Sequence, residues 1–227
     1  MALLVYSIVP HSLMIKFMEN SHEVLNRSDC FRLFSACFYE PDKDLFLEEN
    51  VCLNLGSLLA ASPEAVAAAK KMHSALSEVT HHDLILDYAG LFVGPFELLA
   101  APYGSVYLEK NRRLMGDSTI AIQRYYTAEG LKVEVKEPPD HIAVELEFMS
   151  FLSQKEAAAI EQKDKTESAR LHSLQTDFFN SAMSWLPAFC KNIKGGAQTA
   201  YYLSLGECLD HFHTICEQSY TPNMSGQ

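Results

Sequence analysis

Apolar positions recur every three to four residues along most of the chain, which is the period of an amphipathic helix. From Asp29 to Tyr39 this pattern sets Cys30, Leu33, Phe34, Cys37 and Phe38 on one face, and Pro41 ends the run. A second helix is predicted from Asp44 to Ala60. Ser62-Pro63-Glu64 reads as an N-cap, a proline at the first helical position and an acidic first turn, opening an alanine-rich helix to about Val79. Another helix is predicted from about His82 to Phe92.

The rhythm then breaks. Gly94, Pro95, Pro102 and Gly104 fall among aromatics between Val93 and Ser105, so this stretch is predicted as loop or broken helix. Asp117-Ser118-Thr119 can cap a helix that runs through Tyr125 and Tyr126 to Gly130, a natural C-terminal glycine. Leu131 to Glu137 alternates apolar and charged residues, but with no partner strand in sight it reads as an extended linker. Pro138-Pro139-Asp140 opens a long helix that turns Ile142, Leu146, Met149 and Leu152 inward, with Asp140 placed to cap it. After a charged linker at Gln162–Thr166, two last helices are predicted, about Glu167–Phe189 and Ala197–Gln218, parted by Gly195-Gly196. No repeat, low-complexity tract or domain linker is visible. The expectation is one all-α domain, a helical bundle over residues 1–227.

Composition narrows the class. At 227 residues and 48% hydrophobic, the chain can bury a sizeable core. Its net charge of −11 repels phosphate backbones and anionic lipid, which argues against nucleic-acid or membrane partners and favours a cationic one. None of the six cysteines forms a Cys-x-x-Cys pair and several fall at helical spacing among apolar residues, which favours reduced core thiols of a cytoplasmic protein over disulfides or a metal site. The leading stretch Met1–Met18 lacks the basic start and cleavage site of a signal peptide, and initiation at Met14 or Met18 stays open. No run reaches the ~20 apolar residues of a membrane span.

Catalytic patterns are weak. His141 and Glu145, His211 and His213, and His81-His82-Asp83 offer metal ligands, but no His-Glu-x-x-His and no Cys/His pairing completes a shell. No nucleophile elbow and no phosphate-binding glycine loop occurs. Gly116-Asp117-Ser118-Thr119 could present helix-end amides to an anion, or simply cap a helix. The aromatics Tyr88, Phe92, Phe96 and Tyr103 span a helix end and the broken loop. Beside the carboxylate of Asp140 they would form an apolar groove with an acidic rim, suited to a basic, partly apolar peptide. Core packing is the competing reading, above all for Phe92. His141 could titrate near neutrality or be a packed, hydrogen-bonded imidazole.

Several spaced motifs carry a resemblance. They are Leu91-Phe92-Val93-Gly94-Pro95, Ala101-Pro102-Tyr103-Gly104-Ser105-Val106-Tyr107-Leu108, Met115-Gly116-Asp117-Ser118-Thr119 and Tyr126 with Glu129-Gly130-Leu131. Above all, Glu137-Pro138-Pro139-Asp140-His141 followed by Glu145-Leu146-Glu147-Phe148-Met149 resembles the Glu-Pro-x-Asp-His…Glu-Leu-x-x-Met signature of the TorD/DmsD (NarJ-like) chaperones. The match is detailed from Leu84 to Leu152, looser from Cys30 to the last helix, and absent over about the first 20 residues.

The resemblance implies an all-helical, non-catalytic protein. Such a protein binds the twin-arginine signal peptide of an apo-molybdoenzyme of the dimethyl-sulfoxide-reductase class, delays its export and assists insertion of the molybdopterin cofactor. Weak guanine-nucleotide contact and a monomer or domain-swapped dimer are also implied. By motif position the peptide would be held by Tyr88, Phe92, Phe96, Tyr103, Gly116, Pro138, Asp140 and His141. Several of these positions favour Trp in the DmsD branch, whereas the one Trp here is Trp185. The alternative is an assembly factor acting on cofactor, guanine nucleotide or the mature enzyme domain.

Overall fold

The computed structural model describes residues 11–94, 98–112, 114–134 and 136–220, with side chains from residue 21 onward except that of residue 111. Eleven α-helices follow one another and no strand forms among the described residues. In chain order they are α1 His11–Ala36, α2 Lys43–Glu48, α3 Val51–Leu58, α4 Pro63–Glu78, α5 His81–Tyr88 and α6 Gly104–Leu108. Then come α7 Asp117–Ala128, α8 Ile142–Glu161, α9 Lys165–Ser181, α10 Leu186–Gly196 and α11 Ala200–Tyr220.

The predicted cap at Ser62 holds, accepting from Ala65 N, with Pro63 the first residue of α4, whereas the cap expected at Asp117–Thr119 does not form, Gly116 standing at the N-cap of α7 without a side-chain cap. Thr80, not singled out from sequence, caps α5 by accepting from Asp83 N. Two predicted helices turn out to be pairs. The one expected over Asp44–Ala60 divides at Asn50, whose left-handed φ of 52° interrupts α2 and α3. The one expected over Glu167–Phe189 stops at Ser181, and α10 restarts with Pro187 in its first turn. A proline cannot continue the helix before it, because its ring meets the carbonyl one turn back. The Asp29–Tyr39 segment is the last part of the longer α1.

The long helices pair antiparallel. Arg27, Ser28 and Ser35 of α1 meet Glu156, Ser150 and Glu147 of α8 in descending order. α4 lies along α11, tied by Lys71 to Glu207 at 3.3 Å. One apolar cluster runs from Cys30 to Tyr220, with Phe31 and Phe34 packed on Phe212 and with Phe148 between Tyr126 and Phe178. All six cysteines are free and buried within it, and burial pushes the Cys30 and Cys52 thiols up to about 12.

One polar network crosses this core. The Gln175 side chain donates to Glu156 at 2.7 Å and accepts from Ser153 at 2.8 Å and Tyr220 at 2.9 Å, while Arg27 reaches the same Glu156. α8, α9 and α11 meet at that amide, and α1 joins them through Glu156. Gln175→Ala removes a hydrogen bond from each of three buried polar groups and is expected to cost about 3 kcal/mol. The thermal midpoint should fall by roughly 6–12 °C, read by circular dichroism. A fall under 2 °C would mean the network adds nothing.

Candidate functional site: tyrosines and carboxylates over a buried turn

Two segments far apart in sequence meet at the entrance to α8. Tyr103 and His141 form an isolated antiparallel bridge, with Gly104 N donating to Asp140 O and Ile142 N to Pro102 O, both at 2.9 Å. The Asp140 carboxylate accepts from Ser105 N, also at 2.9 Å. Asp140 does not cap α8 as expected; His141 does, its Nδ1 accepting from Ala143 N at 3.2 Å. The reason is geometric. The turn ends one residue later than the motif suggests, which leaves the Asp140 carboxylate facing α6 instead.

Asp140 is fully buried, so it forms no part of an exposed acidic rim. Glu145, one turn into α8, is buried with it and accepts from Trp185 Nε1 at 3.1 Å. Glu145 and Trp185 face Gly104: a β-carbon there would stand 2.9 Å from Trp185 Nε1 and 3.1 Å from Glu145 Oε1. Burial, aided by the neighbouring Asp140, raises the Glu145 carboxyl well above the usual carboxylate range. His141 is depressed by burial to about 4, so it is a neutral imidazole at neutral pH. Of its two expected behaviours, the packed, hydrogen-bonded one is found.

Around this buried turn stand partly exposed rings. Tyr103 meets the His141 ring edge-on at 5.4 Å, and Tyr39, from the end of α1, stacks over it at 6.2 Å. Tyr39 OH donates to Glu147 Oε1 at 3.0 Å. Tyr88, at the end of α5, donates to Phe38 O at 3.4 Å. Its hydroxyl is pushed up to about 12 by burial, with Glu137, Glu40 and Tyr103 close enough to add to the shift. Glu137 lies 4.0 Å from His141 Nε2. The acidic rim is therefore Glu40, Glu137 and Glu147 rather than Asp140.

The residues singled out from sequence thus separate. Tyr88, Tyr103, Asp140 and His141 come together, and Pro138 accepts from His141 N within the same turn. Phe92 is core, ringed by Phe38, Tyr88, Phe189 and Tyr202, and it supports Tyr88 from below. Gly116 is buried at the start of α7, where a β-carbon would strike the Glu109 carboxylate at 2.5 Å. That carboxylate accepts from Ser118 N at 2.7 Å, so the anion position considered at Gly116–Thr119 is filled by the protein's own Glu109. Phe96 lies outside the described residues. Sequence reasoning missed Tyr39, Glu40 and Glu147 as site residues. Glu147 sits inside a quoted motif, but nothing local marks Tyr39, which arrives from about 100 residues away. His141 Nδ1 and Glu145 Oε2 accept from Ala143 N and Trp185 Nε1, and no set of three metal-ligating side chains gathers among the described residues.

Comparison with known proteins places this geometry. The family model described as nitrate reductase delta subunit matches residues 59–191, more than half of the chain. The chain belongs to this family. Its relatives include the chaperone protein TorD of Vibrio parahaemolyticus, 28% identical over 82% of this chain and 90% of that protein. The Tat proofreading chaperone DmsD of Salmonella typhi is 29% identical over 63% of this chain and 61% of that protein. A solved structure described as a redox enzyme maturation protein, from Archaeoglobus fulgidus, shares the fold with a TM-score of 0.54 at 21% identity, covering 84% of this chain and 93% of its own. The TorD/DmsD resemblance and the all-α class both hold, and members of this family are named as maturation chaperones, not as catalysts. No helix among the described residues is long and apolar enough to cross a membrane.

The two shifted groups at the turn act at opposite ends of the pH scale. Glu145 has a raised carboxyl, so its contribution to stability is intact below about 4.5, the ordinary value, and is lost as pH rises toward the folded value. Glu145→Gln keeps an acceptor for Trp185 and cannot ionise. It is expected to match the parent near pH 4.5 and to melt higher than the parent at pH 8; parallel melting curves would show that Glu145 is not held neutral. His141 has a depressed value, so its contribution is intact above 6.5 and lost as pH falls through about 4. His141→Asn keeps a capping side chain. It should flatten the acid limb between those values in a pH series of thermal midpoints.

Proposed function

We propose that this protein is a cytoplasmic chaperone for the maturation of a molybdoenzyme, and that it binds the twin-arginine signal peptide of the apo-enzyme at the tyrosine–carboxylate cluster. The observation that carries this reading is the pairing of Tyr39, Tyr88 and Tyr103 with Glu40, Glu137 and Glu147 on one face. A guanidinium ion stacks on phenol faces and donates two parallel hydrogen bonds to a carboxylate, so two adjacent arginines suit this surface better than two lysines. The net charge of −11 steers a basic segment toward it. Family membership supports a chaperone acting on a redox enzyme, and the relative named as a Tat proofreading chaperone supports a leader peptide as the ligand. Holding the leader would delay export while the cofactor is inserted.

In this reading Asp140 is a positioning residue, fixing Tyr103 and α6 rather than touching the peptide. The alternative role in handling cofactor or guanine nucleotide gains no support from the start of α7, where Glu109 already occupies the helix end.

Calorimetric titration with a twin-arginine leader peptide and its twin-lysine counterpart tests the proposal. The arginine peptide should bind, and the lysine peptide should bind at least about tenfold more weakly, since a bidentate pair is worth more than a point charge. A Glu137→Gln, Glu147→Gln double variant should lose about tenfold or more in affinity for the arginine peptide, in a salt-dependent way. Equal affinity for both peptides, or a double variant that binds like the parent, would sink the assignment.

A further inference from the structure

On the opposite side of α5 lies a cavity of about 580 Å3, and it has no part in the tyrosine cluster. Its walls are the end of α4 (Ala75, Glu78, Val79), the outer face of α5 (Asp83, Leu86, Asp87) and the start of α11 with the turn before it. Gly90 and Leu99 close it. The backbone departs from α-helix here: residues Ala89–Val93 form a π turn, with Gly94 N donating to Ala89 O at 2.7 Å. Such turns are uncommon and cluster at functional sites. At Gly90 a β-carbon would meet nothing within 4 Å, so this position leaves the cavity mouth open.

The lining has a consistent chemistry. Leu86 and Leu99 are 57% and 53% exposed, a large apolar exposure for side chains facing one hollow. Glu78, Asp83 and Asp87 are its charged residues, and no lysine, arginine or histidine lines it. Asp87 is spent on the chain entering α11, accepting from Thr199 N and Oγ1 at 2.7 Å and from Gln198 N at 3.1 Å. That leaves Glu78 and Asp83 on the rim, both exposed. Apolar walls with an anionic rim select an apolar segment flanked by cationic groups.

We infer that this groove holds the apolar stretch adjoining the arginine pair of the same peptide, with the pair itself at the tyrosine cluster. The inference rests on the function proposed above and extends it to a second contact. Leu86 and Tyr88 point to opposite sides of α5, so the two sites stand back to back across its last turn. A helix is roughly 10–12 Å across, and three or four extended residues cover that distance at about 3.3–3.6 Å each. One ligand can therefore lie over the end of α5 and fill both.

The test uses two synthetic probes: a peptide with two adjacent arginines followed by a run of leucine and alanine, and the same peptide ending at the arginines. Both are titrated into the full chain and into its Leu86→Glu and Gly90→Leu variants. Neither substitution disturbs a buried side chain, and unchanged melting curves confirm that each variant is folded. The parent should bind the long probe about tenfold or more tighter than the short one, as burial of one leucine confers. Both variants should lose that advantage and keep the parent's affinity for the short probe. Variants that bind the long probe like the parent, or a parent indifferent to probe length, would overturn the groove and leave the tyrosine cluster standing. Binding of neither probe by the parent would overturn the function itself, and the groove with it.

Discussion

The contact between the Pro102–Ser105 segment and the Pro138–Ile142 turn holds the functional face together. It consists of three backbone-directed hydrogen bonds, one of them accepted by a carboxylate with no exposure to water. A buried carboxylate is costly unless its lone pairs are used. The Ser105 amide satisfies one Asp140 oxygen and Trp185 Nε1 one Glu145 oxygen, while Asp140 Oδ1 and Glu145 Oε1 are buried without a hydrogen-bond partner, so the turn carries part of that cost. The arrangement fixes α6 against α8 and so sets the place of Tyr103. It sets the place of Tyr39 as well, because His141 is the surface on which that ring lies. Chain segments that share no local sequence logic thus acquire a common geometry.

A division of labour follows. Residues inside the turn, Asp140, His141 and Glu145, are buried, the His141 imidazole is neutral near pH 7, and burial raises the Glu145 carboxyl. Their part is to hold the turn in place. Glu40, Glu137 and Glu147 sit outside, in the loop after α1, on the segment entering the turn and on the outer side of α8. Stiffness and charge are supplied by different side chains, which lets the surface stay hydrated until a ligand displaces the water.

Much of the fold was legible in the sequence, because helical period and caps are local properties. Ser62-Pro63 and the glycine at 130, which adopts φ 77°, mark boundaries that the structure reproduces. The two split helices were misread for a local reason too: an asparagine in a left-handed conformation and a first-turn proline interrupt runs whose apolar period continues across the break. Half of the site was legible for a different reason. Tyr88, Tyr103, Asp140 and His141 sit in or beside recognisable motifs, whereas Tyr39 is placed by how α1 docks on α8, which no window of sequence contains. Depth was the least legible property. Asp140 looks like a surface carboxylate in a polar Pro-Pro-Asp-His turn, yet the turn folds inward and α6 covers it.

The six buried thiols bear on the surroundings in which such a chaperone works. Raised ionisation keeps them as thiols in the folded molecule, and the thiolate is the form that oxidants and electrophiles attack. Folded copies are thereby insulated from oxidants in their surroundings, and only when the fold opens do the sulfurs become reactive.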